Sequence, residues 1–240
     1  MKTMQTEAPV EADSGPKSEA RQAEVALFLD ALSRWTDVKS KAAPIYKRGI
    51  NTRAQIVEAS RSVFVRLGYI DSSVEDVLLA AGISRATFYS HFRSKKAVFA
   101  AVVEEHVRGR LSQTNVTNVD KSDYRARVTE TIERFVNNYT NTQDLSMVIE
   151  QVAHYDEEFR TIRLVIRDLF VDRIARGIRR QQAAGNVPEE LNARESATLI
   201  LAMMTNIAQV EIGWKKKKPT PELIELMTNF WCAGIGLKDR

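Results

Sequence analysis

Residues 72–95 read SSVEDVLLAAGISRATFYSHFRSK, and this stretch decides the fold. Ser73 stands three residues before Asp76, which is the spacing of a capping box and predicts the start of a helix. Gly82 predicts a turn, because glycine readily adopts the left-handed conformation that ends a helix. Ser84 then predicts the N-cap of another short helix. The stretch therefore predicts two short helices that are joined by a tight turn.

The two predicted helices have distinct inner and outer faces. The inner face carries the apolar residues that hold such a pair at a steep angle, namely Val77, Leu78, Ile83, Phe88 and Phe92. The outer face of the second helix carries residues that can reach base edges or phosphates, namely Arg85, Ala86, Thr87, Tyr89, Ser90 and His91. This is the pattern of a helix-turn-helix near residues 74–90, and it predicts binding to double-stranded DNA.

Each residue type on the outer face suits contact with DNA. Arg85 can form a bidentate bond to guanine or hold a phosphate. Ala86 is small enough for the backbone to approach a thymine methyl group, and Thr87 offers both a hydroxyl and a methyl group. Tyr89 can donate its hydroxyl to a phosphate. His91 can donate to a phosphate as well, although a packed or merely solvated role is equally consistent with the pattern.

Residues outside this face complete the expected set of DNA contacts. Lys95 falls in the first turn of the next helix, where its charge adds to backbone N–H groups that favour an anion. Arg53 begins the helix before the helix-turn-helix, and Ser73 begins the first helix of that pair. Both residues can hold phosphates in the same way. Ser84, as the N-cap, lies at the DNA-facing end of the second helix. For Arg53 a solvated role is equally open.

The distribution of charge points to the same region. The chain has a formal net charge of +4. Residues 44–110 contain 11 Lys and Arg against 6 Asp and Glu, whereas residues 1–43 have a net charge of −1 and residues 111–240 are balanced. All of the excess positive charge therefore lies around the predicted helix-turn-helix, and such a patch attracts polyanions.

Composition indicates an all-α protein with a substantial core. Of the 240 residues 44% are hydrophobic, and Cys232 is the single cysteine, so no disulfide framework is expected within one chain. The first residues lack the apolar segment of a signal peptide, and no apolar run approaches a membrane span. We therefore expect a cytoplasmic protein.

Neither a cofactor nor a metal is expected, since the three histidines lack ligand spacing and there is no phosphate-binding loop. We do not expect an enzyme.

The chain divides into four predicted segments. Residues 1–18 resemble a disordered tail. Residues 19–43 form an amphipathic helical extension, whose apolar stripe covers either the body of the protein or a partner chain. Residues 44–110 form the three-helix DNA-binding domain, whose first helix starts at residue 51 or 52. Residues 111–240 form a larger helical domain for ligand binding and dimerisation. In that domain we predict helices near 123–141, 144–153, 156–184, 190–213 and 220–236.

Residues 50–100 closely resemble the TetR family. The resemblance rests on Arg53, Ile56, Ala59, Phe64, Gly68-Tyr69, Ser73-Val74, the run from Ala81 to Phe92, and Ser94-Lys95. It implies an N-terminal DNA-binding domain, a helical ligand-binding and dimerisation domain, and repression that a small ligand relieves. The DNA contacts that it implies are Arg85, Ala86, Thr87, Tyr89, His91 and Lys95. Two departures are the long N-terminal extension and Glu75, which stands where some relatives have a basic residue.

The last two predicted helices are apolar on more than one face. Such a helix must be covered on two sides, once by its own core and once by another surface. We therefore expect a homodimer through the last two helices, which form a two-fold four-helix interface. A palindromic operator follows from that symmetry.

Aromatic and soft side chains of the C-terminal half are candidates for a ligand pocket. They are Phe135, Tyr139, Met147, Gln151, Tyr155, Phe159, Phe170 and Met203. This composition suits a small hydrophobic effector, although an ordinary helical core has the same composition. The sequence thus predicts a ligand-responsive repressor. The alternative is a structural or nucleoid-associated DNA-binding protein that responds to no ligand.

Overall fold

The computed structural model describes residues 16–36, 47–113, 119–120 and 123–238. These residues form helices and connecting turns without a strand, which confirms the all-α prediction. The helices are α1 Pro16–Trp35, α2 Lys47–Leu67, α3 Val74–Ala81, α4 Arg85–His91, α5 Lys95–Gln113, α6 Tyr124–Tyr155, α7 Glu157–Ala183, α8 Ala193–Ile207 and α9 Pro221–Gly234. In the described part of the chain, no helix is both long and apolar enough to cross a bilayer.

The caps around α3 and α4 agree with the sequence prediction. Ser73 and Asp76 form a reciprocal capping box, in which each side chain accepts from the backbone N–H of the other residue. Gly82 follows α3 with φ of 62°, a left-handed conformation in which a Cβ would add strain. Ser84 Oγ accepts from the backbone N–H of Thr87 and so caps α4. Local chemistry therefore sets both ends of the turn.

Helix α6 corrects the predicted break near residue 142. One continuous helix, Tyr124–Tyr155, replaces the two helices predicted at 123–141 and 144–153. The threonine hydroxyls of this region find their hydrogen-bond partners within the helix, in the preceding turn. Thr140 Oγ1 donates to the carbonyl of Val136, and Thr142 Oγ1 donates to that of Asn138.

The ends of the other helices also differ from the prediction in places. Helix α2 begins at Lys47, about one turn before the predicted start. Helix α8 begins at Ala193, and its last turn widens into a π-helical segment at Ala208–Trp214. Helix α1 begins at Pro16, so residues 16–18 of the predicted tail are helical. The remaining part of that prediction, residues 1–15, lies outside the described residues.

Two hydrophobic clusters hold the helices together. The first joins α1, α2, α3, α4 and α5 with the second half of α6 and the first half of α7. The second joins the other halves of α6 and α7 with α8 and α9. The long helices α6 and α7 therefore pass through both clusters, and the helix-turn-helix shares a core with the helices that follow it.

Helix α1 packs against the body of its own chain. Trp35 is buried, with its ring centroid 4.8 Å from that of Phe159 on α7 and 6.1 Å from that of Phe99 on α5. Its indole Nε1 donates to Asp156 Oδ2 at 2.9 Å. Lys96 Nζ lies 4.5 Å from the Trp35 ring centroid, within the range of a cation–π contact. Helix α1 is thus part of the first cluster.

Candidate nucleic-acid interface and internal cavity

Helix α4 is anchored on one side and open on the other. Phe88 is fully buried, and its ring centroid lies 6.0 Å from that of the buried Phe92. The opposite side carries the exposed residues Arg85, Ala86, Tyr89 and Ser90 and the half-buried residues Thr87 and His91. The structure therefore brings the predicted outer face together on one short helix.

Arg85 is paired with a neighbouring helix. Its Nη2 donates to Glu75 Oε1 across the turn, and both side chains are more than half exposed. Glu75 belongs to α3, whereas Arg85 is the first residue of α4. The ion pair orients the guanidinium at the N-terminal end of α4, which is the end that enters the groove in helix-turn-helix proteins.

The hydroxyl groups at the start of α4 are engaged locally. Ser84 Oγ accepts from Thr87 N at 3.1 Å and lies 2.9 Å from Thr87 Oγ1. Ser90 Oγ donates to the carbonyl of Thr87 at 2.7 Å. In the contact between Ser84 Oγ and Thr87 Oγ1 one hydroxyl donates to the other, so only the accepting hydroxyl of this pair has a proton left for an acceptor on DNA.

Lys95 lies in the first turn of α5, as expected, but its ammonium group is directed inward. Nζ donates to the carbonyls of Tyr69 at 2.7 Å and Ser72 at 2.6 Å, with Ile70 O at 3.3 Å. Burial lowers the pKa of Lys95, and Asp71 and Asp76 act against that shift. The three acceptors match the three ammonium protons, so Lys95 fastens the turn between α2 and α3. Its charge still adds to the positive potential beside α4.

Arg53 and Ser73 also have structural partners. Arg53 lies in the second turn of α2 rather than at its start, because that helix begins at Lys47. Its guanidinium carbon is 4.9 Å from the centroid of the Phe92 ring. Ser73 Oγ donates to Asp76 Oδ2 at 2.6 Å within the capping box. The Asp76 carboxylate gains these bonds from Ser73, which lower its pKa.

A cavity of about 160 Å³ lies among α5, α6, α7, α8 and α9. Its apolar wall consists of Val128, Phe135, Phe170, Ile174, Leu201, Met204 and Trp231. Its charged wall consists of Arg110, Arg127, Arg134, Arg173 and Arg180, with the single carboxylate Glu130. The lining of the cavity therefore combines apolar residues with strongly basic ones.

The structure places two of the eight predicted pocket residues in this wall, Phe135 and Phe170. Phe159 is instead buried in the first cluster beside Trp35 and Phe99. Tyr139 packs near the π-helical segment, where a Cβ on Gly213 would lie 3.2 Å from its hydroxyl.

The other predicted pocket residues do not line this cavity. Gln151 and Tyr155 are exposed, Tyr155 to 75%. Met147 does not reach the cavity, and Met204 lines it instead of Met203. The uninterrupted course of α6 turns the residues after position 139 towards the first cluster or solvent, so Met147, Gln151 and Tyr155 do not line the cavity.

Arg110 is the most confined cation of the cavity. Its guanidinium carbon lies 4.8 Å from the Phe170 ring centroid and 5.6 Å from that of Phe135, so the group is held between two aromatic rings. Burial, followed by the charge of Arg163, lowers the pKa of Arg110 to about 10. The group therefore stays charged near pH 7 at a cost in hydration.

The arginines of the cavity were missed in the sequence, although a signal existed. Arg127 and Arg134 are seven residues apart on α6, and Arg173 and Arg180 are seven residues apart on α7. Residues at this spacing lie on one face of a helix. Which faces meet is a property of the tertiary packing, so the spacing alone could not show that both pairs line one cavity.

Comparisons with known proteins agree with this geometry. Residues 56–102 match the sequence profile described as bacterial regulatory proteins, tetR family. The HTH-type transcriptional regulator EthR of Mycolicibacterium smegmatis is 22% identical over 189 residues, which cover 78% of this chain and 87% of that protein. The HTH-type transcriptional activator FasR of the same species is 31% identical over 83 residues, which cover 35% of this chain and 38% of FasR.

Solved structures share the fold over most of the chain. Salmonella enterica GusR superimposes with a TM-score of 0.68 at 16% identity and covers 80% of this chain and 98% of its own. Residues 56–102 therefore carry the DNA-binding domain of the TetR family, and the relative that matches most of the chain is a transcriptional regulator.

Proposed function

We propose that this protein is a ligand-responsive repressor, a dimer that binds a palindromic operator and that a small ligand releases. The observation that carries the proposal is α4, which Phe88 anchors from within while Arg85, Ala86 and Tyr89 face solvent. In this proposal residues 44–110 act as the DNA-binding domain, and residues 111–240 act as the ligand-binding and dimerisation domain.

The DNA contacts fall into two groups by their position. Arg85, Ala86 and Thr87 lie in the first turn of α4 and are the proposed readers of base edges. The remaining proposed contacts hold the phosphate backbone or shape its potential, namely Arg53, Ser73, Ser84, Tyr89, His91 and Lys95. Within this second group Lys95 acts through the turn that it fastens and through its charge.

The proposed dimer interface lies on the outer side of α8 and α9. Leu199 on α8 is 72% exposed, and Leu226 and Phe230 on α9 are 52% and 63% exposed. Large apolar residues in such a group are typical of a surface that another chain covers. If α8 and α9 of one chain pack against α8 and α9 of a second copy around a two-fold axis, this apolar surface is removed from water.

Helix α5 offers a route from the ligand to DNA. It begins at Lys95, which bonds to the turn before α3, and its Arg110 lines the cavity. A ligand that moves this helix changes the spacing of the two α4 helices in the dimer. A hundredfold loss of operator affinity requires about 2.7 kcal/mol of coupling, so the ligand must prefer the released conformation by that amount.

Repression requires the fewest additional contacts, since a dimer that covers a promoter excludes polymerase by occupying the DNA. FasR is named an activator, so the direction of control has to be measured on the operator of this protein. The direction of control is measured as the level of transcription, with and without the protein, from a promoter that carries its operator.

Selection from a pool of random duplex DNA tests the proposal. We expect an inverted repeat whose half-sites lie about one helical turn apart or a small multiple of it, bound by two chains. Phe230→Glu is expected to shift the protein to the monomer in sedimentation and to weaken operator binding. Leu164→Glu is the matched control, because Leu164 is exposed on the first half of α7. Equal affinity for every sequence favours a structural DNA-binding protein instead.

A further inference from the structure

Arginines outnumber carboxylates in the lining of the cavity. Five arginines line it, whereas Glu130 is the single acidic residue in the wall. Glu130 already bonds through Oε1 to Arg134 on the next turn of α6. The lining of the cavity is therefore rich in arginine.

Arg110 is the cation that most needs an anion. Among the described residues its guanidinium has aromatic rings on two sides and neither an ion pair nor a side-chain hydrogen bond. The nearby Glu150 is bonded to Arg163 through Nε at 2.7 Å and through Nη2. A guanidinium offers five N–H donors in a planar fork, which matches the oxygens of a carboxylate or a phosphate. Arg180 is less confined, because its side chain reaches solvent.

The size of the cavity limits the apolar part of the ligand. Its volume is about 160 Å³. A dry apolar cavity of roughly 150 Å³ is enough for benzene. One aromatic ring or a short alkyl chain therefore fits against Ile174, Leu201 and Met204.

We propose that the effector is a small organic anion, with a carboxylate or phosphate headgroup held by Arg110 and an apolar body of about one aromatic ring. This inference rests on the proposed ligand-responsive function and names the class of ligand for it. It also adds an anionic headgroup to the small hydrophobic effector that the sequence suggested. Binding of the anion restores a partner to Arg110 and raises its lowered pKa towards the ordinary value.

Calorimetric titration of the full chain tests the proposal with three probes of similar size. Phenylacetate and phenyl phosphate carry the two headgroups, and phenylacetamide is the neutral counterpart of the first. We expect both anions, or one of them, to bind at least about tenfold more tightly than the amide, since hydrogen bonds to charged groups are the strong ones. The preferred anion then identifies the headgroup.

Two variants distinguish the effect of the Arg110 charge on binding from the effect of the space available in the cavity. Arg110→Met keeps the unbranched stem between the rings, and we expect it to weaken anion binding about ten- to hundredfold while binding of the amide changes little. Arg108→Met is the matched control on the same helix, where the exposed Arg108 bonds to Glu104 at 2.9 Å. Gly177→Leu leaves every arginine in place and is expected to block all probes, because Gly177 lines the cavity beside Tyr124.

Several outcomes of these titrations would contradict the proposed anion site at Arg110. It fails if no anion binds at millimolar concentration, if the amide binds as well as phenylacetate, or if Arg110→Met behaves as Arg108→Met does. Loss of anion binding in Arg180→Met but not in Arg110→Met also overturns the placement of the headgroup. Operator affinity without any probe is measured in parallel, so a failure of the proposed anion site is distinguishable from a failure of operator binding. Melting curves by circular dichroism check that each variant is folded.

Discussion

The guanidinium of Arg85 forms an ion pair with the carboxylate of Glu75, which joins the first residue of α4 to α3. Arg85 is the only arginine or lysine on α4. In the DNA-free protein the charge of Arg85 is therefore already paired with that of Glu75. Binding to a base or a phosphate has to replace or share this bond.

Glu75→Gln is expected to strengthen operator binding, up to about fivefold. The substitution frees Arg85 and removes a negative charge beside the phosphates, and an exposed ion pair of this kind contributes up to about 1 kcal/mol. Fluorescence anisotropy at fixed salt measures the change. Glu58→Gln is the control, because Glu58 is an exposed acid on α2 that pairs with Arg61. Equal effects of the two substitutions indicate a general charge effect and contradict a specific role of Glu75.

Arg85→Ala is expected to change the sequence preference of the protein, whereas Tyr89→Phe is expected to change only its overall affinity for DNA. Loss of a base-reading arginine costs about 1–3 kcal/mol at its own base pair and relaxes discrimination there. Loss of the Tyr89 hydroxyl, which faces solvent on α4, weakens binding to all sequences alike. Affinities for the selected operator and for its single-base variants separate these patterns. If both proteins bind as the wild type does, α4 is not the recognition helix.

Trp35→Ala is expected to lower the free energy of unfolding by about 3–5 kcal/mol, which is typical of truncating a large buried aromatic residue. Trp35 contacts Phe159, Lys96 and Asp156, so the loss affects the joint between α1, α5 and α7. Leu27→Ala on the exposed side of α1 is the control and should cost little. Urea denaturation followed by circular dichroism gives both values. A small effect of Trp35→Ala indicates that α1 is dispensable for the core.

His106 is expected to make the protein less stable in acid. Burial first, and then the charges of Arg110 and Arg61, lower the pKa of His106 to about 3 from an ordinary value of 6.5. The unfolded chain therefore takes up the proton near pH 6.5, whereas the folded protein does not until about pH 3. The contribution of His106 to stability is complete above pH 6.5 and falls by up to about 1.4 kcal/mol for each pH unit as the pH drops towards 3.

Thermal melting between pH 7 and pH 5 checks this dependence in the wild type and in His106→Gln. The variant should lose part of the acid sensitivity, because its side chain does not titrate in this range. His154→Gln is the control, since His154 is exposed on α6. An unchanged pH dependence in His106→Gln shows that other groups cause it.

The helix-turn-helix could be predicted from the sequence because its determinants are local. Ser73, Asp76, Gly82 and Ser84 each specify a cap or a turn within a few residues, and the structure confirms each of them. The continuity of α6 could not be predicted in this way. Its polar stretch resembles a loop in sequence, and neighbouring helices on both sides stabilise it as a helix.

The cavity depended on tertiary packing and was therefore predicted only in part. Aromatic residues drew attention to Phe135 and Phe170, but the same criterion selected Phe159, which belongs to the other cluster. Arg110 lies in the last turns of α5 and is the last residue of the segment 44–110, whose positive charge pointed to DNA rather than to a ligand. Its role follows only from the approach of α6 and α7, which bring the two phenylalanine rings to its guanidinium.

Dimethyl sulfate protection on the selected operator tests most directly whether α4 reads DNA through the major groove. Guanine N7 lies in the major groove, whereas adenine N3 lies in the minor groove. We predict that the wild-type protein protects guanine N7 in two symmetric clusters, about one helical turn apart or a small multiple of it, and that Arg85→Ala loses protection of one guanine in each cluster. Protection confined to adenine N3, or no protection above that of unrelated DNA, would contradict this account.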